Sequence, residues 1–395
     1  MCHGRIIDDC ANRHNSGHDG GVRDLVAIDC AGGPEFVDIL QRIWDDGDAA
    51  YVVDRRLPPT ARSVYLEHIR PAAIVDETGR TRLEGGRGVD DGDALVVTTS
   101  GSTGVPKGVV LTHDAIAASA AATSDRLLID AQDHWLACLP LAHVGGLSVV
   151  TRALHTGTRL SVIDSVDTDV IATTPATRVS LVSAVLGRVD TSRFRTVLLG
   201  GARAPEHRPA NAVTTYGMTE TGSGVVYDGY PLDGVEVRTV DGEIHLRCPM
   251  LLRCYRDGTD PRIDDGWFPT GDLGQIDHEG RLHVDGRAGD MIITGGEKVW
   301  PEPVEVIVGQ HSSILDVVVI GVPDDEWGQK VTAVVVADGD VALAEVRDMV
   351  KAELPAWCAP RDLVVVDSIP RTALGKPRRA AAVELAVSYR ADIGD

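Results

Sequence analysis

The stretch Thr98-Thr99-Ser100-Gly101-Ser102-Thr103-Gly104-Val105-Pro106-Lys107-Gly108 constrains this chain more than any other. It follows an apolar run, Ala94-Leu95-Val96-Val97, that reads as a buried strand. It precedes an Ala-rich segment with few breakers, Asp114–Leu128, that reads as a helix. Between them lie five hydroxyl side chains, three glycines and one lysine. Such a loop presents hydroxyl and backbone N–H donors, plus one cation, to something anionic. Glycine lets the backbone approach closely, and lysine supplies a point charge suited to phosphate. A flexible Ser/Gly linker shares the composition, but linkers rarely sit between a buried strand and a helix or end in Pro-Lys-Gly.

The surrounding chain alternates short apolar runs with helical segments. Pro34–Ile43 predicts an amphipathic helix, Ala49–Val53 a strand, and Arg80–Asp93 a surface connection. Further strands are predicted at Trp135–Leu139, Arg159–Val162, Val170–Thr173 and Thr196–Leu199, and helices at Gly146–Leu154 and Thr177–Leu186. Alternation of this kind implies βαβ units and a parallel sheet. From Val225 to about Gly286, short strands such as Glu243–Arg247 and Arg281–Val284 lie between Gly/Asp/Pro turns, predicting a smaller β-rich subdomain. Beyond Arg287, strands Ile314–Gly321, Val331–Ala337 and Asp362–Val366 and helix Ala342–Glu353 lead to a basic, turn-containing tail. The expected fold class is α/β. Residues 1–286 form a large domain of parallel βαβ sheets plus the β-rich subdomain, and residues 287–395 a small α+β domain.

The balance of 38 basic against 59 acidic residues gives a net charge of −21, which disfavours nucleic acid or an anionic membrane as partner. A polyanionic substrate must then be handled by local donors and a metal. Aromatics are only 4% of the chain, so the core must be mostly aliphatic. Seven cysteines without a C-x-x-C pair read as reduced thiols. No apolar run approaches the roughly 18 residues of a spanning helix, and no signal-peptide core is visible. A cytoplasmic location is expected. Residues 1–23 hold Cys2, His3, Cys10, His14 and His18 in no common zinc spacing and read as a frayed terminus.

Pro106 stands where a Walker-type loop needs glycine before its lysine. The opening stretch instead resembles the phosphate loop of the adenylate-forming enzymes, the acyl-CoA synthetase and luciferase superfamily. Further segments follow in that superfamily's order. Leu139-Pro140-Leu141-Ala142-His143 resembles its L-P-x-x-H element, whose imidazole lies by the acyl substrate; read alone, His143 would be a locally satisfied histidine. The aspartate that holds the substrate ammonium in amino-acid-activating members is absent from this element, which argues against an amino-acid substrate. Leu198-Leu199-Gly200-Gly201-Ala202 is a strand running into glycines that let a flat ring approach. Thr214-Thr215-Tyr216-Gly217-Met218-Thr219-Glu220-Thr221 offers a stacking face, hydroxyls and a hard carboxylate. The resemblance implies Tyr216 against adenine, Thr219 on the α-phosphate and Glu220 on Mg²⁺. Gly266-Trp267-Phe268-Pro269-Thr270-Gly271-Asp272 implies Asp272 on both ribose hydroxyls, with Arg287 on ribose or phosphate. Gly289 stands where many members carry an acidic or lysine hinge residue. Gly295-Gly296-Glu297-Lys298 resembles the loop that approaches the pantetheine tunnel. Pro370-Arg371-Thr372-Ala373-Leu374-Gly375-Lys376 implies Lys376 as the adenylation lysine; read alone, it is one more solvated residue of a basic tail.

By this resemblance the chain is an ATP- and Mg²⁺-dependent ligase that joins a small carboxylic acid to coenzyme A through an acyl-adenylate. Its C-terminal domain would be a mobile lid. Tyr216–Thr221 followed by Val226–Val235, with the short N-terminal portion, resembles the compact o-succinylbenzoate–CoA ligase branch of menaquinone biosynthesis. Ligation of another acyl or aryl acid, loading of a carrier protein, and a non-catalytic nucleotide-binding protein are the alternatives. A homodimer is expected from relatives.

Overall fold

The computed structural model describes residues 23–99, 106–201, 207–371 and 377–393. Two seven-stranded sheets organise the N-terminal part. In the first, Leu25–Ile28, Ala49–Val52, Ala73–Asp76 and Asp93–Thr99 run parallel. Lys107–Thr112 returns antiparallel beside Asp93–Thr99, and Cys254–Tyr255 joins its outer edge from far along the chain. In the second, His134–Ala137, Arg159–Val162, Arg178–Val182, Thr196–Gly200 and Ala212–Gly217 run parallel, with Gly224–Tyr227 antiparallel beside the last. Strands covered on both faces read as continuous apolar runs; Leu25–Ile28 and Ala49–Val52 are buried at every position. One core cluster joins the sheets through the helices His113–Leu127 and Val144–Thr156, running from Val97 and Leu111 through Ile116 and Leu147 to Trp135 and Leu198.

The expected β-rich subdomain is a four-stranded antiparallel sheet of Glu236–Val240, Glu243–Arg247, Phe268–Ile276 and Leu282–Arg287. Beyond it, a five-stranded sheet is covered by helices Pro301–Val308, Leu343–Glu353 and Arg379–Ile393. Two core clusters of its own, drawn from residues 292–386, stabilise this C-terminal unit.

Local chemistry overrides several sequence expectations. Val170–Thr173 lies in the helix Thr168–Thr173 rather than a strand, because the Asp167 carboxylate accepts from the backbone N–H groups of Asp169 and Val170 and starts a helix there. Thr177–Leu186 is not one helix but the strand Arg178–Val182 followed by the one-turn α-helix Ser183–Leu186. The β-branched residues favour the sheet, and buried Arg178 is held there by a bidentate pair with Asp133, both bonds 3.0 Å. The opening loop does not lead straight into a helix. It is followed by the strand Lys107–Thr112, antiparallel to Asp93–Thr99, in which Val109, Val110 and Leu111 are buried, so Lys107 stands on a strand end. The basic tail contains a helix anchored by Ala382 and Ala386, four residues apart and fully buried. Among the described residues, no helix is long and apolar enough to cross a membrane.

Candidate active site

The chemistry-bearing segments gather where parallel strands end. Thr98 and Thr99 close one strand, Asp54 lies just past another, and His143 follows a third. Gly200 and Gly201, then Tyr216 and Gly217, end two more. Ligands of open α/β sheets bind at such carboxyl ends. Ser100, Gly101, Ser102, Thr103, Gly104, Ala202 and Lys376 lie outside the described residues.

In one half of the site, the Tyr216 hydroxyl donates to Asp272 at 2.8 Å, and Arg287 lies 3.2 Å from the other Asp272 oxygen. Asp272 and Arg287 are cross-strand partners, so the sheet sets this pairing. Burial, followed by the Asp272 charge, pushes the Tyr216 phenol up, which keeps it a donor. Thr215 donates to the Leu199 carbonyl at 3.1 Å, and a Cβ on Gly200 would come within 2.8 Å of the Thr215 hydroxyl. At Gly217 a Cβ would stand 2.2 Å from the Ser223 carbonyl, so only glycine admits the tight turn Thr219–Thr221. The Met218 N–H donates to the Thr221 hydroxyl at 3.0 Å, closing that turn. Thr219 and Glu220 are thereby held at the strand end.

A residue without a readable motif completes this half. The Tyr255 hydroxyl donates to Glu220 Oε1 at 3.0 Å, and Lys107 Nζ lies 4.9 Å from the centre of its ring. Among the described residues, Glu220 Oε2 has no hydrogen-bond partner, and no group of three or more His, Cys, Asp or Glu side chains could hold a metal. Mg²⁺ is commonly held by one or two carboxylates, with phosphate oxygens and water filling the remaining positions. One carboxylate with a spare oxygen fits that ion when a nucleotide brings it.

In the other half, Gly146 lets the helix Val144–Thr156 begin hard against Leu139-Pro140: a Cβ there would lie 2.2 Å from the Leu139 carbonyl. This sets His143 at the helix N-terminus, with Nε2 3.1 Å from Asp54 Oδ2. Asp54, absent from the sequence reading, also accepts from Arg56 at 2.8 and 2.7 Å. Burial pushes the Asp54 carboxyl up, but the hydrogen bonds from His143 and Arg56 outweigh it and hold it well below the usual carboxylate range.

Nine residues along that helix stands Arg152, 2% exposed, lining a narrow cleft with Leu95, Ile116, Leu147, Gly222 and Met250. Its Nη2 donates to the Ser223 hydroxyl at 3.2 Å, and its guanidinium lies 4.8 Å from the centre of the Trp135 ring. Its Nε and Nη1, like Trp135 Nε1, have no partner among the described residues. Burial pushes its pKa down from the ordinary value. The one sequence signal was a lone arginine inside the apolar run Val149–Leu154.

Gly295 and Gly296 turn the chain between Ile292–Thr294 and Glu297–Val299, with Lys298 exposed on the second strand. The C-terminal unit holds this turn, the Gly295 N–H donating to Trp327 O at 2.8 Å, and the described hydrogen bonds do not bring it to Tyr216, Glu220 or Asp272. Gly289 lies in the short turn Ala288–Asp290, and Asp290 is held by Arg379 at 3.4 Å.

The profile of the AMP-binding enzymes matches residues 87–256, and that of the AMP-binding enzyme C-terminal domain matches residues 303–376. A probable 2-succinylbenzoate–CoA ligase of Mycobacterium tuberculosis is 40% identical over 353 residues, covering 79% of this chain and 91% of that protein. The 2-succinylbenzoate–CoA ligase of Listeria monocytogenes is 34% identical over 320 residues, covering 72% and 68%. The o-succinylbenzoate CoA synthetase (MenE) of Bacillus subtilis, solved with its acyl-adenylate intermediate OSB-AMP, superposes with a TM-score of 0.82 at 27% identity, covering 91% of this chain and 88% of that one. The same enzyme with ATP and a magnesium ion gives 0.80 at 26% identity, covering 90% and 88%. The chain therefore belongs to the AMP-binding, adenylate-forming enzymes.

Proposed function

We propose that this protein is an AMP-forming ligase that joins 2-succinylbenzoate to coenzyme A in menaquinone biosynthesis, acting in the cytoplasm where ATP and CoA are supplied. A carboxylate resists nucleophiles because it is anionic and lacks a leaving group. Transfer to AMP with loss of pyrophosphate makes a mixed anhydride, whose phosphate departs when the CoA thiol attacks. Bringing the acid against the ATP α-phosphate requires cations between them. Lys107 and Lys376 supply two of these, and Glu220 holds Mg²⁺, which when bound neutralises phosphate charge. Thr98–Gly104 wrap the leaving phosphates, Gly200–Ala202 and Thr215–Met218 frame the adenine, and Thr219 meets the α-phosphate. Asp272, flanked by Tyr216 and Arg287, accepts the ribose hydroxyls. His143, steadied by Asp54, meets the acid.

Residues 1–286 are the adenylation domain, and residues 287–395 a lid that pivots about Arg287–Asp290. Its rotation withdraws Lys376 and brings Gly295, Gly296 and Lys298 to the CoA path.

Arg152 carries the choice of acid. A buried guanidinium without a counter-ion is costly to keep, and a carboxylate entering the cleft would satisfy it. 2-Succinylbenzoate has two carboxylates, so one can meet Arg152 while the other is adenylated. Relatives of matching name support the same acid. The test is CoA-thioester formation over a panel of acids. 2-Succinylbenzoate should far exceed monocarboxylates of similar size, and equal turnover of a monocarboxylate would refute the assignment. Product on a carrier protein but not on CoA would redirect it to the loading enzymes, and absent ATP–pyrophosphate exchange to a non-catalytic binder.

A further inference from the structure

We propose that Tyr255 is a positioning residue for adenylation: its hydroxyl occupies one oxygen of Glu220 and leaves the other for a metal, while its ring face seats Lys107. The inference rests on the reading of Glu220 as the Mg²⁺ ligand.

Tyr255 is well placed because its backbone is pinned. It pairs with Val109 in the sheet, its N–H donates to Thr259 O at 2.8 Å, and its carbonyl accepts from Gly258 at 2.9 Å. The next residue, Arg256, is buried and donates to the carbonyls of Ile69 at 3.0 Å and Gly88 at 2.6 Å. The Arg256 N–H in turn donates to Gly108 O at 2.6 Å, beside Lys107. The same segment grips Glu220 by its main chain, the Leu252 N–H donating to Glu220 O at 2.7 Å. Residues 252–256 thus hold both the carboxylate and the cation that the nucleotide must meet.

Elementary chemistry gives this arrangement a purpose. A free glutamate and a free lysine sample many rotamers, and ordering them costs entropy when the nucleotide binds. A phenol donor on one carboxylate oxygen favours single-oxygen ligation and orients the other oxygen ahead of binding. A ring face holds an ammonium without cancelling its charge, so Lys107 stays available to phosphate. One side chain thereby sets the spacing between a carboxylate and a cation drawn from two separate segments of the chain.

The test uses the full chain with ATP, Mn²⁺ titrated as a paramagnetic probe and bound metal read by EPR. Tyr255→Phe keeps the ring and removes one oxygen; it should weaken metal binding roughly 10- to 100-fold and leave metal-free ATP binding unchanged. Tyr255→Leu, checked for folding by circular dichroism, should also weaken metal-free ATP binding, because Lys107 loses its seat. Glu220→Gln separates the two levels. If Glu220→Gln leaves metal affinity intact, the reading of Glu220 as ligand fails. If Glu220→Gln weakens it but Tyr255→Phe binds Mn²⁺ like the wild type, the positioning role of Tyr255 is overturned.

Discussion

Arg152→Met should make the protein more stable and a worse enzyme for a two-carboxylate acid. The guanidinium has five N–H donors, and among the described residues one nitrogen, Nη2, has a hydrogen-bond partner, the Ser223 hydroxyl. That charged hydrogen bond returns about 1.5–3 kcal/mol, and the Trp135 face about 2 kcal/mol. Desolvating an unpaired ion costs several kcal/mol before any such return. Methionine keeps the length of the stem and removes the charge. Replacement of buried ionic groups by apolar ones stabilises proteins by about 1–4 kcal/mol, and each kcal/mol raises the midpoint by roughly 2–4 °C in a domain of this size class. Thermal unfolding followed by circular dichroism should therefore shift upward by several degrees. In the assay, losing one partner of a desolvated charge pair costs about 2–5 kcal/mol, or roughly 30-fold to several-thousand-fold in the acid's KM. The KM for ATP should not move. A midpoint below wild type with an unchanged acid KM would refute both the desolvation cost and the role given to Arg152.

Three further outcomes are expected. The Asp54 carboxyl is held below its unfolded value, so its contribution to stability is full above the ordinary carboxylate range and is lost as pH falls through that range and below. Wild type should lose more of its urea midpoint between neutral pH and pH ~3 than Asp54→Asn; parallel curves would contradict this. Lys376→Ala should abolish ATP–pyrophosphate exchange yet spare thioester formation from a supplied acyl-adenylate, and equal loss of both in a folded mutant would refute the two-orientation lid. Gly217→Ala puts a Cβ 2.2 Å from the Ser223 carbonyl and should cost about 1–3 kcal/mol. It should lower the urea midpoint and weaken ATP binding through displacement of Thr219 and Glu220; a wild-type midpoint would show that the turn relaxes freely.

How much was legible in the sequence depends on whether a residue's role is local. Tyr216, Asp272 and Arg287 belong to contiguous motifs, and the structure joins them by hydrogen bond and ion pair. The alternation of apolar runs announced parallel sheets, yet Val170–Thr173 and Thr177–Leu186 exchanged identities. Asp167 caps a segment of strand-like composition, and the Asp133–Arg178 pair holds the other in the sheet; propensity sees neither partner. Asp54, Arg152 and Tyr255 escaped altogether. Each meets a residue far along the chain, Asp54 on His143, Arg152 beside Ser223, Tyr255 on Glu220. Pairing at such separations leaves no spacing for a single sequence to display.

Cations in this chain are seated either by carboxylates or by aromatic rings, the latter also at Arg193, Arg238 and Arg361. Arg178 is held bidentately by Asp133, and Arg253 by Asp93 at 2.7 and 2.8 Å, both close fork-to-fork pairs that neutralise the charge. Lys107 and Arg152 instead rest on the rings of Tyr255 and Trp135, and among the described residues neither forms an ion pair. At buried Arg152 a carboxylate partner would have to be displaced before an anion could enter, and the displaced charge would then be stranded in a dry site. An aromatic face holds the cation in place at modest cost, keeps the net charge local and does not compete for the donors. In a chain carrying −21 overall, aromatic seating leaves these two cations without a neutralising carboxylate among the described residues.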